Sequence, residues 1–428
     1  MKKALIISYY WPPAGGPGVQ RILKFAKYLP QYGWTPIVLT VENGEYPAYD
    51  PTLSKEVPDH ISVFRTRTRE PFSAYRKLTG SGSGPIPVGV LAQKKISPKA
   101  RFARFIRLNM VVPDAKTGWI PFAVKEGQRI IDKFKPDVIF SSSPPPTVHL
   151  IAKKLACRNN IPWVADLRDP WSNIHYYQGS RCALTNGIDA ALEKRILGRA
   201  SAVTTVSDHF STLILAPPEK IRIVPNGFDL ADFPDETACR AKDPKLTLAY
   251  VGGLNANRFY PEFFVRLRRA ILDNHLQKDN VRLILAGQIG EEILNVISST
   301  LEGILITEHR GYVAHAEAIG IMREADLLLM FMEKVSNYGG HVPGKVFEYL
   351  MTGNYILGIG DQHGDVAKIL LKEKGGMIAD PDEDLKNVFK DIIERWRTGT
   401  LRGADPRSIN EFSREKLTAT LAGIFDTL

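Results

Sequence analysis

The stretch HVPGKVFEYLMTG, residues 341–353, predicts a short helix with two different faces. Pro343 suits a first helical position, where no backbone N–H is needed, and Gly353 suits a left-handed cap after the last turn. The apolar residues recur at helical spacing, whereas Lys345 and Glu348 fall on the opposite face. This pattern fits an ordinary amphipathic helix with a solvated polar face, or a helix whose polar face lines a binding site.

Strands that alternate with helices lie on both sides of this helix in the sequence. Short apolar runs predict strands over residues 4–8, 35–40, 138–141, 163–166 and 202–206, and again over 246–252, 281–286, 305–308, 327–330 and 355–359. Helical patterns separate most of them, as at residues 20–32, 147–160, 261–276, 316–325 and 344–351. Such alternation predicts a parallel, doubly wound sheet, and its restart predicts a second one. We therefore expect an α/β protein with two Rossmann-like domains.

The length of 428 residues also favours two domains over one. Residues 1–235 are predicted as the first domain and 236–407 as the second, with a polar segment that contains two prolines near the boundary. A final helix over 408–428 is predicted to begin at the capping box Ser408-Ile409-Asn410-Glu411.

The composition indicates a globular protein with excess positive charge, since 44% of residues are hydrophobic, 24% are charged and the net charge is +10. This charge favours an anionic partner, although no nucleic-acid module is recognisable. The three cysteines match no disulfide or metal pattern, which favours a reducing compartment. No group of His, Asp and Glu has metal-ligand spacing, so no metal is predicted. No apolar run is long enough for a transmembrane helix.

Residues 94–107 are a candidate contact with an anionic membrane surface. A predicted amphipathic helix over 100–112 has apolar residues on one side and arginines on the other, and lysines precede it: Lys94, Lys95, Lys99, Arg101, Arg104 and Arg107. The alternative is a surface helix docked on the core of the protein itself.

Two candidate binding segments follow strands of the first domain. The glycine-rich stretch 11–21 precedes a helix, and its Gly15 and Gly16 would allow a ligand close to the backbone, although dinucleotide and P-loop spacings are absent. Asp166, Arg168 and Asp169 stand at the end of a later strand, where they could bind a sugar and position an acceptor. The alternatives are a plain turn and a salt-bridged turn.

The candidate residues of the second domain suit a nucleotide-sugar. Gly252, Gly253 and Arg258 follow its first strand and could neutralise a leaving diphosphate, unless they form only a glycine turn with a surface arginine. Backbone groups near Gln288, Tyr312 and Val313 could line a base pocket. A helix start at Gly344 and Lys345 attracts phosphate, and the Glu348 carboxylate can accept hydrogen bonds from sugar hydroxyls.

Together these motifs resemble the retaining glycosyltransferases of family 4, which have the GT-B fold. The resemblance covers nearly the whole chain and is carried by residues 9–21, 203–207, 223–229 (IVPNGFD), 250–253 and 343–353. It implies two Rossmann-like domains facing a central cleft, with the acceptor on the first and the nucleotide-sugar on the second. It also implies that the last helix crosses back onto the first domain.

The family motifs assign roles to single residues. By resemblance, Gly16 lies against the donor phosphates or sugar, Arg258 is the basic residue of the phosphate site, and Glu348 is the second Glu of a Glu-x7-Glu motif and holds the ribose. Gly340 stands where the family has the first Glu. Arg168 stands where the family often has a histidine.

The implied activity is metal-independent, retaining transfer of a sugar from a nucleotide-sugar to a glycan or lipid-linked acceptor. The donor is a substrate, so no cofactor is expected, and the predicted catalytic residues are Arg258, Asp166, Arg168 and Asp169. The expected setting is polysaccharide assembly in the cytoplasm, peripherally on the inner membrane face. Alternatives are a nucleotide-sugar 2-epimerase of the same architecture, and a non-catalytic scaffold that binds nucleotide-sugar or glycan, which Gly340 supports.

Overall fold

A computed structural model describes residues 1–46, 48–69, 105–106, 108–177, 179–233, 245–334 and 339–428. The chain divides into two compact units, Met1–Pro225 with Arg414–Leu428, and Asn226–Ser413. Most of the basic segment 94–107 and the domain boundary placed at 235 lie outside the described residues.

The first unit contains a seven-stranded parallel sheet in the order β3-β2-β1-β4-β5-β6-β7. Its strands are β1 Lys2–Ser8, β2 Trp34–Val41, β3 Ser62–Thr66, β4 Val138–Ser143, β5 Trp163–Leu167, β6 Ala202–Thr205 and β7 Ile221–Ile223. Its helices are α1 Pro17–Tyr28, α2 Ile120–Phe134, α3 Thr147–Asn159, α4 Ala183–Leu197, α5 Asp208–Leu213 and α12 Arg414–Asp426.

Both faces of this sheet are buried, because successive residues of a strand point to opposite sides. Leu5 and Ile7 pack in one core together with residues of α2 and α3. Ala4 and Ile6 pack in the other core together with residues of α1 and α12, including Phe425. The near-continuous apolar run of β1 therefore belongs to a central strand covered on both sides.

The second unit contains a six-stranded parallel sheet in the order β10-β9-β8-β11-β12-β13. Its strands are β8 Leu246–Val251, β9 Val281–Ala286, β10 Ile306–Gly311, β11 Leu327–Phe331, β12 Tyr355–Ile359 and β13 Gly376–Ala379. Its helices are α6 Pro261–Asp273, α7 Glu291–Leu301, α8 His315–Glu324, α9 Lys345–Met351, α10 Asp365–Lys372 and α11 Lys386–Arg397.

Helices cover this second sheet on both faces as well. Leu248 packs in a core with residues of α6, α7 and α11, such as Phe264. Its neighbour Ala249 packs in the opposite core with residues of α8, α9 and α10, such as Val346. The amphipathic helix α9 therefore lies on the second of these faces, with its apolar side buried.

The predicted α/β architecture with two parallel sheets is confirmed. The strands that the sequence pattern did not mark are β3, β7 and β13, and each lies at an edge of its sheet. Edge strands are shorter and less apolar than central ones, so their hydrophobic pattern is weaker. Among the described residues, no helix combines the length and the apolar character that spanning a membrane requires.

The C-terminal segment differs from the predicted single helix over 408–428. Ser408–Phe412 is a separate 3-10 turn, Ser413 is extended, and α12 begins only at Arg414. The Ser408 hydroxyl donates to the Asp405 carbonyl at 2.9 Å, so the predicted capping box is wrong. The break has a physical reason, because the turn buries apolar residues in the second unit whereas α12 packs in the first.

The start of α9 also differs from the prediction. The helix begins at Lys345 with Gly344 as its N-cap, so Pro343 precedes it instead of occupying its first turn. The Val346 N–H donates to the Pro343 carbonyl at 3.0 Å, which closes a tight turn before the helix. The predicted left-handed end is present, since Gly353 has φ +70°.

Candidate functional site

The second sheet reverses its strand order between β8 and β11, and these strands separate toward their carboxyl ends. Their register ends at the pair Ala249–Leu328. Beyond it the Tyr349 hydroxyl from α9 lies between the strands, 2.9 Å from the Val251 nitrogen, which donates to it, and 3.4 Å from the Leu329 carbonyl oxygen. Ligands of open parallel sheets bind at such a reversal. The separated strand ends are therefore the expected binding place in this unit.

Lys345 brings a cation to the end of β8. Its Nζ donates to the carbonyl oxygen of the last β8 residue at 3.2 Å and lies 4.2 Å from the centre of the Tyr250 ring. A Cβ on Gly252 would come within 3.3 Å of this nitrogen. Burial, reinforced by the charge of Arg258 and opposed by that of Glu348, lowers the pKa of Lys345 to about 7. The structure thus holds an amine beside the separated strand ends, and the positive charge of its protonated form is only partly compensated.

Arg258 brings a second cation to the same strand end, and it is already paired. Its Nη2 and Nε lie 2.7 and 3.2 Å from Oε1 of Glu333, which follows β11. The Arg258 side chain is 25% exposed, so the guanidinium still meets solvent. An anionic ligand at this place would share or displace Glu333, since both would bind the same guanidinium.

Glu348 lies one turn beyond Lys345 on α9, with 17% of its side chain exposed. Its Oε1 is 3.9 Å from Nε2 of His315, the first residue of α8. The same nitrogen is 3.4 Å from Oδ2 of Asp232. A partly exposed carboxylate therefore lies close enough to Lys345 to influence its pKa, with an imidazole next to it.

Glycines with positive φ stand at the ends of three neighbouring strands in this unit. Gly252, Gly287 and Gly311 have φ of +130°, +134° and +62°. The Gly287 N–H donates to the Gly311 carbonyl at 2.6 Å, and a Cβ on Gly287 would overlap the backbone of Gly252. Only glycine adopts such angles readily, so these strand ends lie directly against one another.

The other predicted contacts of this unit lie along the same edge. The Gly253 carbonyl accepts a hydrogen bond of 2.8 Å from the Tyr250 hydroxyl. The Gln288 carbonyl accepts one of 3.0 Å from the loop after β8, and its side chain is exposed. Tyr312 is 75% exposed, while Val313 packs partly against the core. Their assignment to a base pocket stays a prediction.

In the first unit the structure brings the glycine-rich stretch and Arg168 together. Gly16 has φ +101° and directly precedes α1, and the Gly15 N–H donates to the loop after β2 at 3.0 Å. A Cβ on Gly18 would overlap the Arg168 guanidinium. The Arg168 Nε donates to the Ser143 carbonyl at 2.8 Å. These contacts join the carboxyl ends of β1, β4 and β5, where this sheet reverses its order.

Asp166 is completely buried and forms an ion pair with Arg21, whose Nη2 lies 2.9 Å from its Oδ1. The hydroxyls of Ser142 and Thr204 each donate to its carboxylate at 2.7 Å. Burial alone would raise the pKa of Asp166, but Arg21 and these hydroxyls together hold it below its usual value. Arg21 also donates to the carbonyls of residues 224 and 225. The pair therefore connects α1 to β4, β5 and β6, and also to residues 224 and 225, where the segment Met1–Pro225 ends.

The residues predicted as catalytic thus fall into two settings. Asp166 has no exposed surface, Arg168 and Asp169 are half-buried at the end of β5, and Arg258 belongs to the second unit. Burial lowers the pKa of Arg168, and the neighbouring charge of Asp169 opposes this. Within the part of the chain that the structure describes, no group of three or more His, Cys, Asp or Glu side chains could hold a metal.

Sequence reasoning assigned no role to several residues that shape these sites. Tyr349 stands beside Glu348 in the predicted helix, and Arg21 ends the glycine-rich stretch, so adjacency to a motif could have marked both. Glu333 could be considered from the sequence only as a substitute for the missing first Glu at Gly340, which its spacing does not support, and His315 has no local signal. Their partners lie on other elements, and only the tertiary structure brings them together.

A family model described as Glycosyltransferase Family 4 matches residues 16–232, just over half of the chain. A search with this chain found no match among curated proteins. Solved structures cover it almost completely. HepE of Anabaena, in complex with UDP and glucose, has a TM-score of 0.61 and 16% identity, with 100% of both chains covered. Sucrose-phosphate synthase of Thermosynechococcus elongatus has a TM-score of 0.61 and 14% identity, covering 100% of this chain and 99% of its own.

A putative UDP-N-acetylglucosamine 2-epimerase of Listeria monocytogenes is also similar, with a TM-score of 0.56 and 10% identity over 99% of this chain and 97% of its own. At such identities the likeness speaks for the fold, and it confirms the predicted GT-B fold. Since one fold supports several chemistries, the reaction has to be argued from the site.

Proposed function

The chain belongs to glycosyltransferase family 4, and on that premise we propose that it moves a sugar from a nucleotide-sugar to a glycan or lipid-linked acceptor, with retention and without a metal. The observation that carries the proposal is the meeting of Lys345, Arg258 and Glu348 at the carboxyl ends of β8 and β11. Two cations there suit a diphosphate, and a reachable carboxylate suits ribose hydroxyls.

The leaving group dictates the chemistry that these residues serve. As the bond between the anomeric carbon and the phosphate oxygen breaks, the diphosphate gains negative charge and the sugar gains oxocarbenium character. Arg258 and Lys345 would stabilise that charge more strongly in the transition state than in the ground state. Attack from the same face, with the acceptor proton passing to the leaving phosphate oxygen, retains the configuration and needs no protein nucleophile.

The first unit would meet the acceptor at the carboxyl end of β5, where Arg168 and Asp169 lie. The net charge of +10 suits a phosphate-bearing or lipid-linked acceptor at an anionic membrane surface. The positive net charge is the observation that supports a role in polysaccharide assembly on the inner membrane face.

A thermal-shift screen with UDP-, GDP-, ADP- and dTDP-sugars tests the donor site. At a concentration of about 100 Kd a donor adds about 2.7 kcal/mol of stability, so the melting temperature of the wild type should rise by several degrees. Glu348→Gln should reduce this rise, because a hydrogen bond to a charged acceptor contributes about 1.5–3 kcal/mol and one to a neutral acceptor about 0.5–1.5 kcal/mol. Glu291→Gln on α7 is the matched control and should behave like the wild type.

Two further outcomes separate the alternatives. Conversion of the donor to another nucleotide-sugar without any acceptor would favour the 2-epimerase. Binding without turnover across a broad acceptor panel would favour a scaffold, and no shift with any donor would contradict the proposed site.

A further inference from the structure

Lys345 is the least compensated cation of the donor site. Its ammonium has three N–H donors, and one of them reaches the Val251 carbonyl oxygen at 3.2 Å. The Nζ also lies 4.2 Å from the centre of the Tyr250 ring and 5.9 Å from the centre of the Tyr349 ring. Such a setting favours the neutral amine when the site is empty, because a buried charge without a partner is costly.

The charged groups around Lys345 come from each element packed against it. Arg258, on the loop after β8, repels the ammonium, and Glu348, one turn along α9, attracts it. Glu333, on the loop after β11, is occupied with Arg258. Burial raises the pKa of the tyrosine on β8, Tyr250, to about 12, and the same cause raises the pKa of Tyr349. Neither phenol therefore changes charge near neutral pH.

A bound diphosphate would shift the protonation equilibrium of Lys345 toward the ammonium form. It would bring negative charge against both cations and supply the acceptors that the Lys345 N–H groups lack. We infer that Lys345 takes up a proton from solvent when the diphosphate of a nucleotide-sugar binds between it and Arg258, and returns it when the product leaves. This rests on the proposed function and adds the protonation change that accompanies donor binding.

The sign of the pH dependence follows from the pKa of about 7 in the empty site. Below that value Lys345 already carries its proton, so donor affinity is flat. Above it, binding must first draw a proton from solvent, and affinity should fall by up to about tenfold per pH unit. Catalysis would benefit because the fully charged ammonium is present when the sugar–phosphate bond breaks.

Titration calorimetry at about pH 8, in Tris and in HEPES, tests the proton uptake. The probes are UDP-glucose, GDP-mannose, ADP-glucose and dTDP-glucose, because a diphosphate diester does not itself titrate near neutral pH. The binding enthalpy of the wild type should differ between the two buffers, whose heats of protonation differ, in the direction of proton uptake. Lys345→Arg keeps the charge but cannot lose its proton, so its enthalpy should be the same in both.

One matched variant helps to assign the proton. Lys368→Arg, at an exposed position of α10, should keep the buffer dependence of the wild type. If Lys345→Arg fails to bind, the wild-type Kd measured between about pH 6 and 9 decides, because a constant Kd overturns the inference.

Equal enthalpies in both buffers for a wild type that binds would overturn the proton uptake and leave the proposed function intact. A buffer dependence that persists in Lys345→Arg would place the proton elsewhere. A wild type that binds none of the four probes would contradict the proposed function and this inference together.

Discussion

At the scale of single residues, two buried ionisable groups of this protein differ in how fully neighbouring groups compensate their charge. Asp166 is fully paired with Arg21 and two hydroxyls, so its charge serves the fold. Lys345 is buried beside the end of β8, where its positive charge is only partly compensated. The sequence predicted a role in binding or catalysis for both, because it shows which residues are charged but not which partners surround them.

Asp166→Asn should lower the free energy of unfolding of the first unit by about 3–5 kcal/mol, because the Arg21 guanidinium would remain buried without a counter-charge. Urea unfolding measures this. Asp169→Asn, at a half-buried position two residues from the end of β5, is the matched control and should cost about 1 kcal/mol or less. An Asp166→Asn protein that keeps its stability but loses turnover would restore the direct catalytic role predicted from sequence.

At the scale of elements, the proposed donor site lies where strands of the second sheet end. The ends of β8, β9 and β10 pass directly against one another because Gly252, Gly287 and Gly311 have left-handed backbone conformations. The short helix α9 then places Lys345 against β8 and the Tyr349 hydroxyl between β8 and β11. The positive-φ glycines at the strand ends and the helix α9 thus form most of the proposed donor site.

Gly252→Ala should weaken donor binding at least tenfold, because a Cβ at φ +130° would press on the Lys345 Nζ. The backbone strain should also cost about 1–2 kcal/mol of stability. Gly303→Ala is the matched control, since Gly303 has φ +75° with no atom within 4 Å of the added Cβ. Its stability should fall similarly while its donor affinity, measured by calorimetry, stays at the wild-type value. Equal affinities in both variants would speak against a donor at this strand end.

At the scale of the whole molecule, the excess of positive charge is the property most easily tested. The sequence places six basic residues between 94 and 107, and the net charge of the chain is +10. Opposite charge attracts such segments to anionic lipid, at about 1 kcal/mol for each residue near the surface.

Changing Arg101, Arg104 and Arg107 together to Gln should therefore reduce binding to anionic liposomes by roughly two orders of magnitude at low salt. Co-sedimentation with and without anionic lipid measures it. The control changes Arg395, Arg397 and Arg402 to Gln, which alters the net charge equally. Equal losses in both would show that net charge, and not this segment, governs any lipid binding.

Much of this protein could be predicted from its sequence alone. The apolar runs of central strands such as β1 and β8 and the periodicity of helices such as α9 are local patterns, and they determined the α/β fold with two parallel sheets. Motifs such as Pro343–Gly353 indicated the family. These features can be read along the chain because neighbouring residues carry them.

Only the tertiary structure decided which charges are paired and which are only partly compensated. Asp166 meets Arg21, and Glu333 meets Arg258, across large separations in the sequence. The turn at Ser408–Phe412 was decided in the same way, because burial of its apolar residues overrode a local capping pattern. Electrostatic compensation and burial depend on distances through space, and a sequence pattern does not contain those distances.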